Sequence, residues 1–517
     1  MEPRYIRILS PLVFLCTFLA GQKTLLADPQ LSSWFTEAST KYARIYTNAA
    51  ARSAGISTTT WSNQTISQSL PTYAGVHEIN YSSTWVYIKN SGLAPYVMGP
   101  WSNPNLPKNQ GTSTGVYRFP RSPSVISNLA TSGRTLTGQG SIGFLVDGVA
   151  IYSTSDGYSY SNSTGADMTP PSQSPGDGIW NRDAWPNEKV SFDYPLNHPQ
   201  PSGQYHAHAN PIGVRYVLGD NINYDSSTKF YSENTSATNW KHSPIIGWVN
   251  DGLPLYGPYG YSNPTNPTSA VRRMVSGYVL RDGNYGTTNL TSTGRKSLPL
   301  WAQQAQNRTS LANNQYGPNV STNYELGHYA EDYDYLGDLG FTQGASSTVN
   351  GYTAQYDLNK YNARYCVTPE YPNGTWAYFV SIKADGTPWY PYNVGRWYMA
   401  TPSGGSSTLT VMNADTPLTL YYKGATNTVE TWSSNNPLAV STNKVTLVWN
   451  AVEGGIYRIY ATNDLSSTNT NWPTLASSIT ATNNSISYDE TGSFSSVPRR
   501  FYKFIRTGMA TYDSVGY

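Results

Sequence analysis

The sequence predicts a mainly β fold: a large β-rich domain built from hairpins, followed by a small C-terminal β-sandwich. Three observations carry this. Of 517 residues 14% are aromatic and only 12% charged, with 43 tyrosines, so solubility rests on hydroxyls and amides while the rings suit half-buried pleated surfaces. From Gly75 onward, short alternating runs such as Thr84-Trp85-Val86-Tyr87-Ile88 are separated by Pro, Gly and Asn turns. One turn phrase also recurs, Asp-Gly followed by alternating apolar residues, in Val146-Asp147-Gly148-Val149-Ala150-Ile151-Tyr152, Asn250-Asp251-Gly252-Leu253-Pro254-Leu255-Tyr256 and Ala384-Asp385-Gly386-Thr387-Pro388-Trp389-Tyr390.

Glycine accepts the positive φ of a tight turn, so these phrases read as one hairpin design used three times, with the aspartates as turn formers ahead of any ligand or acid/base duty. Pro254 and Pro388 remove a ladder donor, which predicts edge strands.

Taken in order, Arg4 and Arg7 precede an apolar run, Ile8 to Ala20, and small residues up to Ala27, the layout of a secretory signal peptide over residues 1–27. The run is short and Pro11 interrupts it, so no membrane span is expected after cleavage, and the expected location is the periplasm, the cell surface or the medium. Loss of Arg4, Arg7, Lys23 and Glu2 takes the formal count from 33 basic and 31 acidic residues to 30 of each. A neutral chain without a basic cluster gives no electrostatic case for nucleic acid or an anionic membrane surface. Cys16 lies in the leader and Cys366 is then alone, so no intrachain disulfide is expected and Cys366 reads as a small buried hydrophobe.

Segment 28–74 offers one helical stretch, Trp34 to Ala51, with Trp34, Phe35, Ala38 and Tyr42 at helical spacing. Residues 75–400 carry the main β domain. Thr401-Pro402-Ser403-Gly404-Gly405-Ser406-Ser407 opens a linker over 401–420. In 421–517 the runs 444–451, 455–465 and 500–505 alternate at sandwich spacing and resemble the immunoglobulin-like or fibronectin-III-like modules that end many exported bacterial proteins. A mature chain of about 490 residues exceeds what one hydrophobic core usually organises, hence more than one domain.

Only six histidines occur, and two stand one residue apart in Tyr205-His206-Ala207-His208-Ala209-Asn210-Pro211. In a strand both imidazoles project to one side while Tyr205, Ala207 and Ala209 face the other, which is half of a metal site. His198 lies eight residues before His206 with Ser202-Gly203 between, so a hairpin would return it beside the pair. His242 precedes the second Asp-Gly turn. His328 is followed by Glu331, Asp332 and Asp334, and His77 neighbours Glu78. Imidazole with carboxylate is ligand chemistry for Cu, Zn, Fe or Mn, so a transition metal ion is expected and no organic cofactor.

The phrases Gln204-Tyr205-His206-Ala207-His208-Ala209-Asn210-Pro211, His242-Ser243-Pro244-Ile245-Ile246-Gly247-Trp248, the run from Asp251 to Tyr261, and Thr368-Pro369-Glu370-Tyr371-Pro372-Asn373-Gly374-Thr375-Trp376 together resemble the YHYH-domain proteins, named for a Tyr-His-Tyr-His motif. Similarity extends to Trp180-Asn181-Arg182-Asp183-Ala184 and Glu331-Asp332-Tyr333, so it spans roughly residues 75–400. The chain departs at the naming motif, where Ala207 replaces the second tyrosine. That position faces away from the imidazoles, so the expectation of a metal site survives the change, while a stacking or redox task of the tyrosine does not carry over with it. The resemblance implies an exported protein and carries no established reaction.

Three functions compete. In the first the chain is an exported metal-binding protein with His206 and His208 as core ligands, His198, His242 or His328 joining, and Asp251 or Asp332 supplying oxygen. In the second it is a metal-dependent hydrolase of an extracellular polymer, with Asp332, Glu331 or Glu370 as general base and Arg182 and Arg364 holding an anionic group. No Gly-x-Ser-x-Gly or His-Glu-x-x-His phrase accompanies that reading. In the third it is an adhesive or polysaccharide-binding protein in which Trp101, Trp180, Trp185, Trp248, Trp389 and Trp397 stack on sugars, a pattern that core packing also produces.

Overall fold

The computed structural model describes residues 28–36, 41–110, 115–128, 132–169, 172, 174–424, 438–441, 443–451, 455–463, 472–482, 485–492, 500–509 and 512–513. The leader expected over 1–27 lies outside them. Among the described residues no helix is long and apolar enough to cross a membrane.

The fold is mainly β, with many small antiparallel sheets around one dominant eight-stranded sheet. Its strands run, side by side, His198–Pro199, Tyr205–Ala207, Ala150–Tyr152, Ser141–Leu145, Ile245–Val249, Pro254–Tyr256, Thr375–Phe379 and Ala363–Cys366. Two of the recurrent Asp-Gly phrases close hairpins in this sheet, joining 141–145 to 150–152 and 245–249 to 254–256.

All three phrases use the same turn. The aspartate Oδ1 accepts the main-chain N–H two residues on, at 3.1 Å for Asp147, 3.1 Å for Asp251 and 2.9 Å for Asp385, and the following glycines have φ of 87°, 85° and 87°. The third phrase forms only an isolated bridge, Ile382 to Pro388.

The edge expected at Pro254 is not there. Its strand is interior, between 245–249 and 375–379, because Pro254 is the first residue of the strand and the parallel pairing to 375–379 begins at Leu255.

The helix expected over Trp34–Ala51 is also not formed by the described residues. Short helices occupy Pro29–Ser32 and Ala49–Ala54, with Tyr42 and Ile45 in isolated bridges between them. Tertiary burial overrides the local spacing: Trp34 packs on Phe119 at 5.4 Å, and Phe35 N–H donates to the Val146 carbonyl at 2.9 Å.

Residues 401–420, expected as a linker, instead contribute a strand Gly405–Ser406 on 116–120, a helix Leu409–Ala414 with Met412 buried, and the start of strand Thr419–Lys423 on 76–81. They add one strand to each open edge of the three-stranded sheet 116–120, 85–90, 76–81, making it five-stranded.

One core cluster runs from Leu31 to Ala400 and encloses Trp180, Trp248 and Trp301. A second, around Val445, Leu447, Trp449, Tyr457 and Ile459, lies between two three-stranded antiparallel sheets formed after Leu438. Cys366 is buried in the first core, where burial pushes its thiol up and nearby Arg364 opposes the shift.

Candidate metal centre

The centre is assembled at one edge of the large sheet. Strand 198–199 pairs antiparallel with 205–207, and the register puts His198 directly opposite His206. The intervening turn closes through Gly203 N–H to the Gln200 carbonyl at 2.8 Å, with Gly203 at φ 87°. Strand 205–207 then runs parallel to 150–152.

Alternation puts Tyr205 on the opposite face, where its hydroxyl donates to Asp193 Oδ2 at 2.6 Å. The other oxygen of Asp193 accepts from Asn197 N–H at 3.0 Å, so this one carboxylate fixes both the strand and the loop that delivers His198. Ala207, at the position where the naming motif has tyrosine, is fully buried.

His198, His206 and His208 are all buried and offer ring nitrogens that lie within 4.8 Å of one another. This is the one group of three or more ligand-type side chains with such spacing among the described residues.

Their protonation follows from their partners. His206 Nδ1 is 3.0 Å from the Gln204 carbonyl and His208 Nδ1 is 2.7 Å from the Ser153 carbonyl. A carbonyl only accepts, so both Nδ1 atoms carry the proton. Ser191 Oγ, whose hydroxyl donates to the Glu188 carbonyl at 2.8 Å, receives the third Nδ1–H, from His198 at 2.7 Å. Each neutral imidazole therefore presents a bare Nε2 lone pair, and the Nε2 atoms of His206 and His208 stand 3.1 Å apart. Two acceptors at that distance repel unless a cation lies between them.

A proton is a poor candidate for that cation. Burial first, and then the neighbouring imidazoles, hold His206 well below the ordinary histidine range, and burial brings His198 down to about 2 and His208 to about 4.

A fourth group completes the set. Glu188, at the end of helix Ala184–Glu188, places Oε2 3.1 Å from His208 Nε2 and 3.7 Å from His198 Nε2. That oxygen and His198 Nε2 are both buried without a hydrogen-bond donor or acceptor of their own. Burial raises the Glu188 carboxyl to about 7, opposed by the charge of Arg182.

Arg182 sits between Asp156 Oδ2 at 3.1 Å and Asp167 Oδ2 at 3.7 Å. Asp167 continues outward to His328 Nε2 and the Tyr329 hydroxyl, each at 2.6 Å. Aromatic rings seal the other sides, with Phe192 edge-on to His198 at 4.5 Å and parallel to His208 at 6.1 Å. Three imidazoles and one carboxylate, each imidazole fixed by a second partner, form a donor set for a divalent transition ion with coordination positions to spare.

The other expected ligands lie elsewhere in the fold and do not join the three histidines. His242 donates from Nδ1 to the Ser243 carbonyl at 2.8 Å among Tyr256, Tyr261 and Phe379. His77 Nε2 donates to the Tyr73 carbonyl at 3.0 Å. His328 reaches the centre only through the Asp167–Arg182–Asp156 chain. Asp251 is held in its turn and also accepts from the Tyr378 hydroxyl at 2.6 Å. Asp332 forms a fully buried two-armed ion pair with Arg295 at 2.7 Å on each arm.

The expected acid/base and anion-holding groups are likewise occupied, Arg182 by Asp156, Asp167 and the Met168 carbonyl. Glu331 accepts from Asn181 Nδ2 and N–H at 2.7 Å each, Glu370 from the Tyr256 hydroxyl at 2.9 Å, and Arg364 donates to the Tyr261 carbonyl at 2.7 Å. Of the six tryptophans considered for stacking on sugars, Trp180, Trp248 and Trp397 are core residues, and Trp101, Trp185 and Trp389 are partly buried against the core. The sequence reading missed Glu188, Ser191 and Asp156. The only available signal was that Glu188 stands ten residues before His198, and nothing in a five-residue helix marks it.

A family profile described as YHYH protein matches residues 116–394, just over half of the chain and all of the centre described above. Neither a curated protein nor a solved structure shows significant similarity to the chain.

Proposed function

We propose that this chain, which belongs to the YHYH protein family, is an exported protein that binds one transition metal ion through His198, His206 and His208, with Glu188 as fourth ligand. One observation carries the reading. Three buried imidazoles, each with Nδ1 committed to a protein acceptor, turn their Nε2 lone pairs to a common point that Glu188 also faces. Leaving such groups unpaired in an apolar interior is costly, and a bound cation removes the cost.

Charge supports it too. Around the centre the carboxylates of Glu188, Asp156 and Asp167 outnumber the one guanidinium, Arg182, which favours a cation there. The donors suit Cu, Zn, Fe or Mn, and supply outside the cell then sets occupancy. The leader-like pattern in residues 1–27 supports export.

The test is elemental analysis of the mature protein after chelation and reloading with each of the four ions. One ion per chain in the wild type and none in His206→Ala is the expected result. Wild type that takes up no ion above the level of His206→Ala overturns the reading.

A further inference from the structure

Two cavities open on either side of the third Asp-Gly turn. The larger, about 520 Å³, is walled by Trp185, Phe192, Tyr194 and Phe230, and Phe230 is 49% exposed. The smaller, about 470 Å³, is lined by Trp240, Tyr259, Arg272 and Arg273, with exposed Thr235 and Gln355 at its edge. Ala384 borders the smaller cavity and Asp385 to Pro388 the larger, so the turn borders both. It packs closely on the strand beneath: a Cβ on Gly386 would meet Glu233 Cγ at 2.7 Å.

The two guanidiniums of the smaller cavity differ. Arg272 is neutralised by Asp357, with two bonds of 2.6 and 2.7 Å. Arg273 donates one Nη1–H to the Ile382 carbonyl at 2.7 Å and has no carboxylate within ion-pair distance among the described residues. Beside it the Trp240 indole is fixed, stacked on Tyr259 at 5.3 Å and anchored by Nε1–H to the Asn234 carbonyl at 2.8 Å. Among the described residues the side chains of Thr235 and Gln355 have no hydrogen-bond partner.

A guanidinium fork without an acid partner recognises a carboxylate or sulfate. A fixed indole offers an apolar face to a ring, and a free hydroxyl and amide suit ring hydroxyls. In the larger cavity Glu233 is paired with Arg215, Asp193 accepts from the Tyr205 hydroxyl, and Lys189 and Asp385 are of opposite charge, so with four aromatic walls an uncharged ring fits better there.

We propose that the two cavities together bind an acidic oligosaccharide across the turn, with a carboxylate- or sulfate-bearing sugar at Arg273 and Trp240 and a further ring against Phe230 and Trp185. The proposed site uses none of the metal ligands, although Phe192 walls the larger cavity and also packs on His198 and His208.

The test is calorimetric titration of the full mature chain with hexamers of galacturonate, of a sulfated galactan and of neutral cellulose. The expected result is that at least one acidic hexamer binds ten-fold or more tightly than the neutral one, with affinity falling as salt rises. Galacturonate preference identifies the carboxylate and galactan preference the sulfate. Arg273→Gln is expected to lose ten-fold and flatten the salt dependence, and Phe230→Ala, a change at an exposed ring, to lose several-fold. His206→Ala keeps the binding, which separates this proposal from the metal reading. Equal binding of neutral and acidic hexamers, no binding of any, or wild-type affinity in a folded Arg273→Gln overturns it.

Discussion

Tyr152 lies face to face with His206, ring centroids 3.9 Å apart, and Gln204 holds both: its Oε1 accepts from the Tyr152 hydroxyl at 2.6 Å while its main-chain carbonyl accepts from His206 Nδ1. The stack fixes the ring plane of a ligand that a hydrogen bond alone would leave free to tilt.

Tyr152→Phe, which keeps the stack, is therefore expected to hold metal nearly as well as wild type, whereas Tyr152→Leu loses affinity by roughly 10- to 100-fold, the range for groups that orient metal ligands. Competition with a chromogenic chelator measures both. Equal affinity in the two variants would show that the stack is incidental.

Glu188→Gln keeps the shape of the side chain and removes its charge. We expect the ion to remain bound but about 10-fold or more weakly, and Glu188→Ala to be weaker still. A dissociation constant unchanged in both variants would restrict the ligand set to the three histidines.

Metal binding to the folded chain alone raises its stability by mass action, about 2.7 kcal/mol when free metal is 100 times Kd. Adding chelator to the loaded protein should lower Tm by several degrees, measured by scanning calorimetry. His198→Ala should show no metal-dependent shift, since its ring nitrogen is one of the three donors.

Asp332→Asn separates structure from chemistry. It leaves the Arg295 charge buried without its counter-ion, a change that costs about 3–5 kcal/mol in comparable pairs. The variant should unfold at lower denaturant concentration, while its folded fraction keeps a full complement of metal. Unaltered stability with loss of metal would reverse this assignment.

Asp147 predicts a pH dependence. Burial raises its carboxyl from the ordinary 3.8 to about 7, against hydrogen bonds from Val149 and its own N–H. A carboxyl whose folded value is raised contributes stability that is complete below the unfolded value and is lost as pH climbs through the folded one. Between pH 4 and 7 the wild type should therefore lose stability relative to Asp147→Asn, whose Oδ1 still serves the turn. The difference measured by urea unfolding should grow by about 1.4 kcal/mol per unit of displacement. A constant difference across that window would contradict it.

Much of the centre was legible because it follows from two local rules. Strand alternation put His206 and His208 on one face, and a Ser-Gly turn at the right distance returned His198. The turn role of Asp147, Asp251 and Asp385 was equally local. What escaped depended on tertiary placement. Glu188 meets the histidines only because helix 184–188 is capped by Asp183 and carried over the sheet edge, and Ser153 reaches His208 from 55 residues away. Asp251 and Asp332 were plausible ligands by type, yet each satisfied a nearer partner first, and His242 is placed among Tyr256, Tyr261 and Phe379 away from the three histidines. The stretch 34–51 had helical spacing, but its rings were claimed by the core.

The pairing of His198 with His206 has a last consequence. Because successive residues of a strand point to opposite sides, sliding strand 198–199 by a single position would swing His198 out of the cluster altogether. The chelator is thus an all-or-none product of correct folding, assembled from segments that hold no common pocket while the chain is extended. Under the proposed function, metal uptake would serve as a readout of chain integrity, since a misregistered copy would stay empty in a bath that loads its correctly folded siblings.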